Sequence, residues 1–181
     1  MSYLKEHKAQ LEVRSDIINT SKQWYELRPC NYYGLLRQPK IIYACIGQHG
    51  SFVLDETGTF IDKTCYFIPT NDKYLLGLLN SSLLKYFFAS IAVQRRGGYF
   101  EYLTQYVSQM PIRPIDFSNA ADKLRHDSMV VLVESMLALQ KHKAAAQTQP
   151  EQELLQRQID ALVYELYELT PAEIAIVEGA G

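Results

Sequence analysis

The spacing of apolar positions changes several times along this chain, and each change marks an element. Leu4, His7 and Leu11 share one helical face within residues 1–13, which predicts a short N-terminal helix. Residues 20–34 (TSKQWYELRPCNYYG) keep no period and read as irregular, aromatic-rich chain around Pro29. Residues 40–46 (KIIYACI) are β-branched and apolar, predicting a buried strand. Residues 51–54 and 59–61 flank DETG, which predicts a hairpin turning at residues 55–58. Residues 64–68 (TCYFI) predict another strand, closed by Pro69.

The longest apolar run is YLLGLLNSSLLKYFFASIAV, residues 74–93. Leu75, Leu78, Leu79, Ser82, Leu83, Tyr86, Phe87 and Ile91 recur at helical spacing, and Asn71 or Asp72 can cap the helix. Leu76, Leu84 and Phe88 lie off that stripe, so the helix should be covered on more than one side and lie against the sheet. Asn80, Ser81, Ser82 and Lys85 interrupt the run, and a lysine at mid-bilayer costs roughly 3 kcal/mol. A buried core helix, with no membrane partner, fits better than a span. Tyr99, Leu103, Tyr106, Val107 and Met110 give a further helical pattern, and MPIRPI (residues 110–115) must be extended because of its prolines.

From Asp116 the composition shifts. Met129, Leu132, Val133, Met136, Leu137 and Gln140 predict one amphipathic helix. Leu155, Ile159, Leu162, Val163, Leu166 and Leu169 predict a second, after a polar connection at residues 141–150. TPAE, from Thr170 to Glu173, is a strong helix start, with a capping threonine, proline at the first position and glutamate three after the cap. The expected class is α+β: a small mixed or antiparallel sheet packed on a long buried helix, followed by a C-terminal antiparallel helical hairpin. A boundary divides residues 1–115 from 116–181.

Charge sharpens this division. The chain has 18 basic and 20 acidic residues in 181, which excludes a uniformly basic nucleic-acid coat but not a local basic face. Residues 151–181 hold seven acids against Arg157 alone. Residues 22–40 hold four bases against Glu26, and residues 85–114 four against Glu101. Only the portion before the acidic hairpin suits phosphate. Cys30, Cys45 and Cys65 are odd in number and widely spaced, which suits reduced thiols better than disulfides or zinc. With no charged-then-apolar leader in view, a cytoplasmic location is expected.

Catalytic constellations do not assemble. His7, His49, His126 and His142 are scattered, and Gly97-Gly98 alone is no dinucleotide fingerprint. The stretch QRRGGYFEYLTQY, residues 94–106, concentrates cations, glycines and rings. From the residues alone it is either a tight turn with solvated arginines or a surface for an anionic partner.

Six segments in order carry a resemblance: WYELR (24–28), PKIIY (39–43), F-x-x-D-x-x-G-x-F (52–60), YLLGLLNSSLLKYFF (74–88), RGGYFEYLTQYVSQMPI (96–112) and IDALVYELYELTPAEI (159–174). The series resembles the TaqI-like C-terminal specificity domain of type IIG restriction-modification enzymes and N6-adenine DNA methyltransferases. It is also similar to target-recognition domains of type I specificity subunits. The resemblance, over about residues 24–178, implies sequence-specific recognition of double-stranded DNA and presentation of a target adenine to a neighbouring methyltransferase domain or subunit. It implies no cofactor in this chain, S-adenosylmethionine being used by the methyltransferase. The N-P-P-Y motif and the glycine-rich cofactor motif are both absent, so no catalysis is expected from this chain alone.

With DNA as partner, Arg95 and Arg96 become expected phosphate or guanine contacts. Gly97 and Gly98 would allow close backbone approach, Tyr99 and Tyr102 would offer hydroxyls or rings, and Phe100 or Leu103 would anchor the segment. Arg28, Arg37 and Lys40 form a second expected surface, while Trp24 reads better as part of an aromatic flap over the sheet. Residues 1–115 would then be the recognition domain and 116–181 a helical spacer or docking hairpin, or else a self-contained pair of helices. The alternative function is a helical protein-interaction scaffold without nucleic-acid contact. A third is a single-strand binder whose tyrosines stack on bases.

Overall fold

The computed structural model describes residues 2–26, 32–142 and 145–179. It divides into two compact units, Met1–Gly34 and Leu35–Gly181. In the first unit the predicted N-terminal helix is two short ones, α1 (Ser2–Glu6) and α2 (Lys8–Glu12), broken at His7. Arg14 ties the irregular stretch together, pairing with Asp16 at 2.7 Å and donating to the Glu26 carbonyl at 3.0 Å. Trp24 is half-buried, meets Tyr25 edge-on at 5.4 Å and has the Lys8 ammonium 5.9 Å from its ring. One helical turn, α3 (Tyr33–Leu36), follows.

The second unit is built on a three-stranded antiparallel sheet of β1 (Lys40–Ala44), β3 (Phe52–Asp55) and β4 (Cys65–Ile68), with β1 in the middle. Ile41 lies opposite Leu54 on one side and Ile68 on the other, and is wholly buried. A second sheet pairs β2 (Ile46–Gly47) with β5 (Phe100–Glu101). The expected 51–54/59–61 hairpin does not form: β3 pairs with β1, and residues 59–61 are not strand. Asp55 accepts hydrogen bonds from the Thr57 and Thr59 amides at 3.1 and 2.9 Å, closing DETG into a loop with no return strand.

The long helix expected over residues 74–93 is likewise two, α4 (Lys73–Leu79) and α5 (Ser82–Ile91), bent by 59°. The polar interruption is the joint. Asn80 accepts from the Phe52 amide at 3.1 Å and donates to its carbonyl at 2.9 Å, so it pairs with β3 as another strand residue would. Buried Ser81 accepts from the Leu84 amide and caps α5, while Asp72 caps α4. Leu76, Leu84 and Phe88, the residues off the predicted stripe, are among the most deeply buried, as expected of a segment covered on more than one side. Among the described residues no single helix is long and apolar enough to cross a membrane.

Of the helical pattern expected from Tyr99 to Met110, only α6 (Thr104–Val107) is helix, because Phe100 and Glu101 are drawn into β5. The C-terminal hairpin is α7 (Ala120–His142) against α8 (Ala145–Leu166). It is antiparallel: Arg125, near the start of α7, meets Glu165, near the end of α8, at 2.8 Å. The link is shorter than residues 141–150, and Pro150 lies inside α8, where it forgoes one backbone hydrogen bond. Then α9 (Pro171–Gly179) opens on the predicted capping box, with the Thr170 amide donating to Glu173 at 2.8 Å and the Glu173 amide to Thr170 Oγ1 at 3.4 Å. The core of this unit draws on β1, α4, α5, α7 and α8, including Ile41, Leu78, Phe88, Met129 and Val163.

Candidate nucleic-acid interface

Residues 94–100 make a tight hairpin. Gln94 bridges to Phe100, the Arg95 amide donates to the Tyr99 carbonyl at 2.6 Å, and Gly97 and Gly98 close the turn with φ of 82° and 78°. Glycine takes two such values in succession at the least cost, so the turn reading of the glycine pair holds. The base of the hairpin is fixed. Its β5 residues pair with β2, the Tyr102 amide donates to the Cys45 carbonyl at 2.9 Å, and Gln48 donates to the Gly97 carbonyl at 3.0 Å.

Strand alternation sorts the hairpin's side chains. Gln94 and Phe100 line a cleft of about 820 Å³, with Gly97 and Gly98 above it and α5, α8 and α9 opposite. Arg95 and Arg96 do not line that cleft, and Arg95 shares the other face with Glu101. The cleft itself is electrically mixed, with Lys85 and Arg157 set against Asp160 and Glu178. Burial holds the Lys85 ammonium below the ordinary lysine range, and the charge of Asp160 works against that shift. Nothing in this balance favours phosphate, which leaves the outer face as the candidate.

Outside the cleft the two arginines differ. Arg95 is paired, its Nε and Nη2 donating to Glu101 Oε1 at 2.9 and 2.7 Å. Arg96 is exposed and has no hydrogen-bond or ion-pair partner among the described residues. Tyr99 is exposed, with its ring beside Gly97. Glu101 and Gln48 were not anticipated. Reading Arg96-Gly97-Gly98 as a three-residue hairpin turn would have placed Glu101 diagonally across from Arg95 on one face.

Two expected contacts need correction. Tyr102 is 5% exposed and stacks on Phe88 at 4.2 Å with the rings 2° from parallel, so it anchors the hairpin and cannot reach a partner. Phe100 helps, meeting Phe88 edge-on at 6.4 Å. Lys40 is 0% exposed, donating to the Leu36 carbonyl at 2.8 Å and pairing with Asp55 at 2.5 Å. Burial acts to raise the Asp55 carboxyl, but Lys40, Thr57 and Thr59 outweigh it and hold the group well below the usual carboxylate range. Lys40 is therefore a structural cation. Arg37 is exposed and has no side-chain partner among the described residues, while Arg28 lies outside them.

The basic cluster of residues 85–114 is also dispersed. Arg113 faces Asp122 at 3.2 Å, and its backbone is pinned by two tyrosines: Tyr74 donates to the Arg113 carbonyl at 2.9 Å, and the Arg113 amide donates to Tyr167 at 3.2 Å. Both tyrosines thus serve the packing of this unit with their hydroxyls engaged.

Known proteins match this chain over much of its length. The pattern of the TaqI-like C-terminal specificity domain matches residues 1–112, reaching further toward the N-terminus than expected and stopping short of the helical hairpin. Type II methyltransferase M.BanIII of Aneurinibacillus aneurinilyticus is 32% identical over 123 residues, 62% of this chain and 21% of that protein. Type II methyltransferase M.BstVI of Geobacillus stearothermophilus is 22% identical over 183 residues, 99% of this chain and 29% of that protein. Type II methyltransferase M.XhoI of Xanthomonas vasicola is 25% identical over 114 residues, 61% and 21% respectively. The chain therefore spans less than a third of the length of each of these relatives. The family pattern covers more than half of the chain and includes the whole glycine hairpin, and on that ground the chain belongs to the TaqI-like C-terminal specificity domain family.

Proposed function

We propose that this chain reads a short sequence of double-stranded DNA for a restriction-modification methyltransferase. It would position the target adenine for a catalytic domain outside residues 1–181, and S-adenosylmethionine would serve that domain. Beyond family membership, one observation supports the reading: a rigidly based hairpin carries Arg95, and Arg96 with no partner among the described residues, outside the lining of the electrically mixed cleft. Phosphate contacts from such cations position a protein on DNA, and base-edge contacts specify sequence. In this reading residues 1–115 face DNA, and α7 and α8 act as spacer or dock to the methyltransferase.

The test is fluorescence anisotropy of the whole chain with a labelled mixed-sequence duplex and with its single strand, from ~50 to ~200 mM salt. The duplex should win the competition, and its affinity should fall steadily with salt. Failure to bind duplex at the lowest salt, or preference for the single strand, would sink the proposal.

A second reading, protein docking without nucleic acid, draws on α7, where Leu124 and Val131 are 68% and 60% exposed two turns apart. Association through that face would survive raised salt, because apolar burial is not screened.

A further inference from the structure

The geometry points to Glu101 as a positioning residue that presents the Arg95 guanidinium to a base edge, so that Arg95 reads sequence while Arg96 supplies the phosphate contact. This rests on the duplex-recognition reading above and divides its two arginines by role.

The division follows from what each guanidinium has left to give. Arginine carries five N–H donors on a planar fork. Glu101 Oε1 takes one from Nε and one from Nη2 of Arg95. The far edge, Nη1 with the remaining Nη2 hydrogen, stays free, and that edge matches O6 and N7 of guanine. The Arg95 side chain is 58% exposed, whereas that of Glu101 is 21% exposed and stands on β5, paired with β2. The carboxylate is thus the fixed member, and it holds a long, rotamer-rich side chain in one orientation before any ligand arrives, which lowers the ordering penalty on binding.

Charge points the same way. Arg95 and Glu101 together are neutral, so Arg95 would displace few counterions from DNA. Arg96, one residue on and unpaired among the described residues, would displace about one.

The test uses the whole chain and a randomised double-stranded DNA library, with selected sequences bound again over a salt series. Wild type should select a site containing a guanine. Arg96→Ala should flatten the salt slope by about one unit without changing the selected sequence. Glu101→Gln should do the opposite: preference for that guanine should fall roughly tenfold, and the salt slope should steepen by up to about one unit as Arg95 loses its neutralising partner. A residue that merely stabilised the fold would not steepen it. Arg95→Lys keeps the charge and loses the fork, so it should lose the guanine preference with an unchanged thermal midpoint, which guards against misfolding of the Glu101 variant. If wild type selects no sequence, the recognition reading fails and this inference with it. If wild type selects a sequence that Glu101→Gln or Arg95→Lys selects equally sharply, only the positioning role is overturned.

Discussion

The Asp160 carboxylate on α8 accepts the Ser82 amide at 2.7 Å and the Ser82 hydroxyl at 2.9 Å, capping α5 from 78 residues away. Ser81 caps the same helix from within, so the start of α5 is held by its own chain and by the C-terminal hairpin together. A carboxylate at a helix N-terminus meets both free amides and a favourable dipole. Asp160→Ala should lower the unfolding free energy by about 2 kcal/mol. Urea unfolding checks this, and a change within about 0.5 kcal/mol would mean that the hairpin does not support the α4–α5 joint.

The Lys40–Asp55 pair gives a pH signature. Asp55 titrates below its unfolded value of about 3.9, so its ionised form stabilises the fold above that pH and the benefit is lost as pH falls toward the folded value. Lys40→Met leaves a nearly buried carboxylate without its cation and should destabilise by about 3 kcal/mol at neutral pH. The acid limb of the stability curve should then flatten below pH ~4. Duplex salt dependence should not move, because Lys40 is wholly enclosed.

These residues show what the sequence could and could not reveal. The capping box at Thr170 and Glu173 is local, so four letters sufficed. The middle strand β1 was legible because a run buried on both sides needs no partner to look apolar. Lys40 was misread because its counterion arrives through the β1–β3 register, in which it faces Asp55 across 15 residues. Tyr102 was misread because an amphipathic ring looks the same in an interface and in a core until Phe88 is seen lying flat against it. The α4–α5 break was visible as polar letters, but its cause is Asn80 meeting Phe52, a tertiary contact.

Gly77 on α4 packs directly against α7. A Cβ there would stand 2.6 Å from Met129 Sδ and 3.0 Å from Val133 Cγ2. Alanine usually favours a helix, yet here the clash should win, and Gly77→Ala should destabilise by roughly 1–3 kcal/mol. In a Met129→Ala background much of that penalty should vanish, so a double-mutant cycle by thermal unfolding checks the contact.

The end of α8 offers a stabilising change. Glu168 takes the left-handed conformation at φ 56°, and the bonds Glu168 amide to Glu165 carbonyl and Leu169 amide to Tyr164 carbonyl complete a Schellman termination. Glycine suits that position and a side chain does not. Glu168→Gly should therefore raise stability by about 1 kcal/mol, read as a higher thermal midpoint.

Gly98 separates backbone strain from steric contact at the proposed DNA face. It holds φ at 78°, and a Cβ placed on it would meet nothing within 4 Å. Any penalty for Gly98→Ala is then one of conformation, about 1 kcal/mol, and it falls on a hairpin tip rather than on the core. Asparagine visits the left-handed region far more readily than alanine. Gly98→Ala should therefore weaken duplex binding about fivefold while the thermal midpoint stays close to wild type. Gly98→Asn should recover most of the lost affinity. Equal weakening by both variants in the anisotropy titration would show that bare backbone, and not the turn's shape, is what the duplex meets at this position.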